Sequence, residues 1–488
     1  MKAERRVVFK QSEIPAAQWD DLRKFCKAIQ EDEQHSAVIV FNAATTSGPA
    51  ATKSSDASSL LKSGRAALQS RDYAGAVGLL KKALELDPAL KDAWNSLGLA
   101  YTDLHQYEDA ISALHKLIEI DPESRYAYNN LGRVFYMQNK LDEARQAYEK
   151  QIEINPRDGT AHKNLGGLLL REKEYEYSLR ELQQAASLLP KDAVVQERIG
   201  NVYLASGAPE KALDAFSLAI QNAPTPPTFN TIAYALAEKG VSLDKARAFA
   251  DSAISALNGM LLGVKLDSAQ VQDIASVTLL GHSWDTLAWI YFRQGDLAMA
   301  EKYALAGWEL AENGEIADHL GQIYEKQGKR SEAASWFARA LAAPGTPDGT
   351  RQRLIALIGN TEVESAVERA RADVAKSRTI AISAPLHGTR ADFLISFRPD
   401  GAPDQVKFIS GDPQLKAAES VLAVQKYRVG FPNAQAARII RAGTLTCAAD
   451  TCSFLLIPSA LAENLLAHDN ANASATATSQ SNAAPAKQ

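Results

Sequence analysis

Cysteine is scarce in this chain, three in 488 residues. Cys26 stands alone within AAQWDDLRKFCKAIQ, on the face with Trp19 and Leu22, and reads as a core residue of a helix. Cys447 and Cys452 form CAADTC, too wide for a CxxC redox motif. No second Cys or His pair lies nearby, which argues against zinc. The two thiols either face each other across a hairpin as a disulfide, which needs an oxidising compartment, or stay free at a loop, and both readings stand. Long apolar runs are absent too: none approaches the ~18 residues of a membrane span. The start, MKAERRVVFKQSEIP, has no apolar h-region and reads as carrying no secretory signal. With a net charge of −5 and a pI near 6.0 there is no basic excess to neutralise a nucleic acid. GTPDGT at 345 lacks the lysine of a phosphate loop, and GHSWD at 281 lacks the second glycine of a nucleophile elbow, so Ser283 is not expected to be a nucleophile. The acidic runs EYEY and EDEQ read as solvent-facing charge, and the eight His are scattered. No metal or cofactor is expected. What remains is an ordinary globular composition, 46% hydrophobic and 23% charged, in a chain long enough for roughly two to four domains.

Regularity fills the place of chemistry. Pro88, Pro122, Pro156, Pro190 and Pro224 are each 34 residues apart, and so are Gly64, Gly98, Gly132, Gly166 and Gly200. Ala76, Ala110, Ala144, Ser178 and Ala212 hold the same period. Each unit reads as two helices. In the second, Trp94, Leu97, Gly98 and Tyr101 give helix A one apolar face, and Ala110, Leu114 and Leu117 give helix B the matching one. Gly98 and Ala110 are small where the two helices approach. Asp121-Pro122 ends helix B, because proline disfavours helix in the residue before it and lacks an amide donor. One such hairpin cannot bury both faces, whereas stacked copies share a continuous core.

This pattern, Trp94, Leu97, Gly98, Tyr101, then Ala110, Leu114, Leu117, then Pro122, resembles the tetratricopeptide repeat. The next unit repeats it with Tyr128, Leu131, Gly132, Phe135, Ala144, Tyr148 and Pro156. The likeness is continuous over 57–226 as five regular units. Three degenerate units follow over 227–346, interrupted by an insertion near 258–281. They keep Trp284, Leu287, Tyr291 and Ala300, then Leu320, Gly321, Tyr324, Ala333, Phe337 and Ala340. Residues 347–377 read as a charged helix capping the stack.

The resemblance implies protein or peptide binding in a concave groove lined by helix A. The groove positions of the family fall here on Asn129, Asn130 and Arg133, on Lys163 and Asn164, and on Arg198 and Asn201. Cations beside amides suit a peptide with an acidic end or acidic side chains: Arg133 for a carboxylate, Asn129 for ligand backbone. The set is similar only in part to a carboxylate clamp, because Leu99 and Gly167 stand where polar groups belong. A solvated polar face without a specific acidic ligand is the competing reading. Tyr126 and Tyr136 on the same face offer either a lining for apolar anchors or packing between repeats.

The ends change character. RRVVFK and SAVIVF read as strands flanking the Cys26 helix within residues 1–45, and SGPAATKSSDASS after them as a flexible linker over 46–56. This strand–helix segment resembles the end of the β-rich domain found beside transglutaminase-like domains in some bacterial envelope proteins. Residues 378–460 alternate as strands ADFLISF and QVKFISG around Asp400-Gly401, then a helix DPQLKAAESVLAVQKY with Asp412 as N-cap, then a hairpin RIIRAGTLTC–CSFLLIP. Asp400-Gly401, Ser410-Gly411-Asp412-Pro413, Leu415 and the run to Tyr427 resemble the C-terminal domain of TonB-type transducers, which implies partner binding at a sheet edge. Residues 461–488 read as a disordered tail.

The expected architecture is therefore mainly α, a helix-turn-helix solenoid with a small C-terminal α+β domain. The expected function is a non-enzymatic scaffold that binds protein or peptide segments, with no nucleic acid and no direct membrane span. The alternative is a C-terminal part or accessory subunit of an envelope transglutaminase-like or peptidase system. The end-domain likenesses and the Cys pair point to the periplasm, and the absence of a signal at the start points to the cytoplasm.

Overall fold

The computed structural model describes residues 5–10, 37–42, 49–427, 429, 431–432, 438–448, 451–457 and 462. The Cys26 helix and the tail from 463 onward lie outside the described residues. Two short strands, β1 (Arg5–Lys10) and β2 (Ala37–Asn42), pair in parallel. The stretch expected to be a linker is helical from Pro49 on: α1 spans Pro49–Gln69. Its Ala, Lys and Ser residues are compatible with helix, and its C-terminal half supplies helix A of the first repeat.

The five regular repeats then follow as antiparallel pairs. Helix α1 pairs with α2 (Tyr73–Leu86), α3 (Lys91–Asp103) with α4 (Tyr107–Ile120), and α5 (Ala127–Met137) with α6 (Leu141–Ile154). Helix α7 (Gly159–Arg171) pairs with α8 (Tyr175–Leu188), and α9 (Ala193–Ala205) with α10 (Pro209–Asn222). The repeating glycine of helix A meets one large side chain of helix B. A Cβ on Gly98 would lie 2.8 Å from Leu114, and one on Gly200 would lie 2.3 Å from the Phe216 ring. So Gly is required because the helix B side chain fills its place, a knob seated against bare backbone.

The turn between helices A and B is closed by a residue in the left-handed region. It recurs every 34 residues as Arg71, His105, Asn139, Lys173 and Gly207, with φ between 58° and 81°. In two of the units a ring nitrogen ties the next helix A to the proline turn. Trp94 Nε1 donates to the Pro88 carbonyl at 2.8 Å, and His162, at the same repeat position, reaches the Pro156 carbonyl at 3.1 Å.

The degenerate half keeps this plan: α11 (Pro226–Lys239) with α12 (Leu243–Leu262), α13 (Val271–Gln294) with α14 (Leu297–Ala311), and α15 (Gly314–Lys326) with α16 (Arg330–Ala342). Residues 347–377 hold two helices rather than one, α17 (Thr350–Ile358) and α18 (Val363–Arg378). Gly359, at φ 82°, breaks them apart, and α18 folds back on α16.

The C-terminal sheet is antiparallel, in the order β3-β7-β6-β4-β5. Its strands are β3 (Thr379–Ile382), β4 (Arg390–Phe397), β5 (Pro403–Gly411), β6 (Ile439–Ala448) and β7 (Thr451–Leu456). Strand β3 has no counterpart in the sequence reading. It runs straight on from α18 and pairs with β7. The segment expected as one long helix is shorter: a 3-10 turn over Pro413–Ala417, then α19 (Ala418–Leu422). Asp412 does cap it, accepting from Gln414 N. The helix stops where the Tyr427 hydroxyl takes the Leu422 carbonyl at 2.8 Å, an acceptor that another turn of helix would need.

Both faces of this sheet are covered. Phe393, Ile395 and Phe397 of β4 pack with Leu415 and Leu422 and merge with the core of the later repeats. The other face, Leu394, Ile440 and Ala442, packs on Leu266, Ala269, Val271 and Ile274, which belong to the insertion. That explains why RADFLISF is buried almost throughout rather than on alternate residues.

Candidate functional site

The concave face of the repeats is lined by helix A, and its polar side chains are bonded to one another from unit to unit. Asn130 Nδ2 donates to Asn95 Oδ1 at 2.7 Å, and Asn164 Nδ2 donates to Asn129 Oδ1 at 2.9 Å, each pair 35 residues apart. One unit further, Arg198 donates to the Lys163 carbonyl, again 35 residues away. From the second to the fifth unit the ladder therefore joins one helix A position to the next position of the following unit.

Each of the proposed groove residues now has a place. Asn129 is buried; besides Asn164, its backbone N–H donates to Gln151 Oε1 at 3.2 Å, which satisfies an orphan donor in the first turn of α5. Lys163 pairs with Asp192 at 2.7 Å, both largely covered. That carboxylate also caps α9, and although burial opposes its charge, the Lys163 ammonium and the cap N–H groups hold it below the usual carboxylate range. Arg198 lies against Gly167, where a Cβ would come within 2.6 Å of its guanidinium, and burial lowers its affinity for the proton. Gly167 stands at a groove position because the arginine of the next unit occupies the space.

Two members of the set are less engaged. Arg133 has one long contact, 3.9 Å to Asp103 between half-exposed side chains, and its Nε is buried without an acceptor. Such a pair is worth under about 1 kcal/mol. Asn201 is half-buried, and its side chain makes no hydrogen bond among the described residues. Met137, four residues after Arg133 on α5, and Val194, seven residues before Asn201 on α9, are exposed apolar side chains at 41% and 42%. Tyr136 packs under Arg171, 5.3 Å from ring to guanidinium, whereas Tyr126 bridges units by donating to Asp92 at 2.8 Å. Burial, then this bond, pushes the Tyr126 hydroxyl up to about 12.

In the later units the concave face is filled by its own side chains. His319 Nδ1 lies 3.0 Å from both Asp285 oxygens, and its ring stacks on Trp289 at 4.1 Å. Burial opposes charge on this imidazole, but the Asp285 carboxylate outweighs it and raises the pKa. Tyr234 donates to Glu315 at 2.5 Å, and Asp318 accepts from Thr350 and Arg353 of α17. Arg353 is 35 residues beyond Asp318, so the ladder runs into the terminal helix pair. Sequence reasoning missed the His319–Asp285 pair, although Asp285 lies inside the GHSWD stretch; the signal was their occupancy of the same two ladder positions as Asn129 and Asn164. Ser283 is buried inside α13 and donates to the Leu279 carbonyl. Among the described residues no group of His, Cys, Asp and Glu is arranged to hold a metal, and no helix is long and apolar enough to cross a membrane.

In the C-terminal sheet Cys447 and Cys452 stand directly opposite each other on β6 and β7 and are joined as a disulfide.

Paired helices in a fixed 34-residue register, stacked with a polar concave ladder, define a helical repeat solenoid. Family models described as tetratricopeptide repeat match residues 79–112, 98–158 and 317–350, so the chain carries tetratricopeptide repeats. It is similar to solved structures. One is a MamA protein, at 25% identity over 34% of this chain and 91% of that one, TM-score 0.30. Another is PilF of Pseudomonas aeruginosa, at 26% identity over 46% and 92%, TM-score 0.34. YrrB, described as a tetratricopeptide protein with an unusual peptide-binding site, is 22% identical over 36% and 91%, TM-score 0.29. No curated protein matches the sequence at a significant level.

Proposed function

We propose that this protein is a non-enzymatic scaffold that holds a partner segment on the concave face of its third to fifth repeats. The observation that carries the reading is the contrast along that face. In the later units Trp289, His319, Tyr234 and Asp318 are engaged with neighbouring side chains, while in the third to fifth units Met137 and Val194 are exposed and Arg133 has only a long contact to Asp103. Lys163 and Arg198 set the groove's shape through the ladder and are not free arms. The acidic-ligand idea therefore narrows to one cation, Arg133, with apolar anchors on Met137 and Val194. A short segment with one carboxylate and one or two apolar side chains fits this chemistry.

A second contact, at the C-terminal sheet, follows the TonB-type likeness. Both faces of the sheet are covered, so only edges remain, and on β5 the Phe408 N–H already donates to Glu419 at 2.7 Å. That leaves β3, which has one neighbour, as the edge for an added strand. The alternative role beside a transglutaminase-like or peptidase system rests on residues 1–45, of which only the β1–β2 pair is described.

The test is selection of peptides from a displayed random library on the full chain, followed by titration of the best binder. Arg133→Glu combined with Met137→Glu and Val194→Glu should abolish binding while the circular dichroism of the helices is unchanged. Equal affinity for wild type and variant would sink the groove reading.

A further inference from the structure

The last repeats and the sheet do not close against each other completely. Two cavities lie on either side of the C-terminal end of α18. One, of about 490 Å³, has a mixed polar and apolar lining and reaches Arg441 and Lys426. The other, of about 390 Å³, is walled by Ala311, Ala342, Ala343, Pro344 and Val374. Trp308, Glu312, Val374 and Arg378 line both, so the two lobes adjoin at one buried ion pair.

Charge here runs against that of the molecule. The chain is net −5, yet six cationic side chains line the two lobes against three carboxylates. Arg378 pairs with Glu312. Arg441, only 2% exposed, gives bonds to the carbonyls of Glu309 and Ile457 and stands 4.0 Å from Glu312. The Nε–H of both arginines is buried with no acceptor. Burial, and behind it the charge of Arg441, holds the Arg378 guanidinium down to about 10. Buried guanidinium groups are stable only when anions satisfy them, and two arginines whose donors are only partly used offer a fork for one more. The neighbouring lobe is bordered by Arg339, Arg371, Arg378 and Glu312, and between them it offers the Trp308 indole and small apolar walls.

We propose that this junction binds an organic anion that carries a carboxylate on an apolar body, the carboxylate at Arg378 and Arg441 and the body against Trp308 and Ala343. Pockets with an apolar wall and a few convergent polar groups at a domain interface are where small ligands bind. The carboxylate can belong to a free small acid or to the C-terminus of a peptide ending in an apolar residue. This site is separate from the concave groove, so each stands or falls alone.

Calorimetric titration of the full chain tests it with five probes: 4-phenylbutyrate, its neutral amide, acetate, and N-acetyl-alanyl-leucine as the free acid and as the amide. One or both apolar acids should bind, with the matching amide and acetate weaker by roughly tenfold or more. Binding by phenylbutyrate points to a free acid, and binding by the peptide acid alone points to a chain terminus. Arg378→Gln should remove the preference for acid over amide. Should that variant fail to fold, Lys426→Gln at the exposed mouth should weaken the acids, and Ala343→Leu should weaken whichever apolar acid binds by filling its lobe. The proposal is overturned if neither acid binds, if acid and amide bind alike, or if Ala343→Leu has no effect.

Discussion

At the scale of the residue, the turn between helices A and B shows that a strict repeat does not make each of its members optimal. Arg71, His105, Asn139 and Lys173 adopt a left-handed backbone, which among them Asn tolerates best, and only the fifth copy, Gly207, has no Cβ to oppose it. Lys173 is exposed and its side chain makes no bond given by the structure. Lys173→Gly should therefore stabilise by about 0.5–1 kcal/mol, and Gly207→Ala, whose Cβ would meet nothing, should destabilise by about the same. Urea unfolding of the two variants checks both signs. A second residue gives a pH signature. His162 Nε2 faces the Pro156 carbonyl and Nδ1 lies 2.7 Å from Glu181, and since both partners only accept, the ring carries both protons. The Glu181 bond raises the pKa above the ordinary 6.5. A raised folded pKa contributes stability that is complete below 6.5 and is lost as pH climbs through the folded value. The melting-temperature gap between wild type and His162→Gln should be widest at pH 5–6 and shrink toward pH 9. A gap that widens with pH would refute the charged pair.

At the scale of the element, the ladder ties helix A to helix A from the second to the fifth unit, and again from α13 through α15 to α17. Asn129 and Asn164 join α5 to α7 through a largely buried bond, so a double-mutant cycle with Asn129→Ala and Asn164→Ala should show a coupling of about 1 kcal/mol. Additive losses would mean that the two amides act separately. The helix pairs were legible in the sequence because Gly98, Ala110 and Pro122 return at a fixed interval, and each performs one local task. The ladder was not, because it depends on which polar side chain of one unit reaches the next. Nothing in Asn129, Lys163 or Arg198 taken singly tells an arm toward ligand from a strut toward a neighbour. The same holds for Gly167, whose reason is Arg198. Strand β3 was hidden because TIAI continues without a break from the last helix and contains only four residues. The final helix is shorter than its apolar spacing suggests, because the nearby Tyr427 hydroxyl takes the Leu422 carbonyl and ends it.

At the scale of the molecule, the insertion that breaks the repeat also fastens the C-terminal sheet to the later repeats. Leu266, Val271 and Ile274 leave the solenoid core and lie under the sheet face of Leu394, Ile440 and Ala442. Lys407 adds a bond to the Asp267 carbonyl at 3.1 Å. In a stack of repeats each unit is stabilised by its neighbours, so the last unit needs a cover. Here the sheet supplies part of that cover, and the insertion fastens it. Ile274 is fully buried, and Ile274→Asp would place an unpaired carboxylate in this seam at a cost of several kcal/mol. The damage should stay local because nearest-neighbour stacking does not carry it to the first repeats. Hydrogen-exchange mass spectrometry should show lost protection in β4, β6 and the start of α13, with α3 to α8 unchanged. If protection in β4 and β6 survives, the sheet holds itself together without the insertion. If protection falls evenly from α3 to β7, the repeats and the sheet form one cooperative unit, and the nearest-neighbour account of this solenoid is wrong.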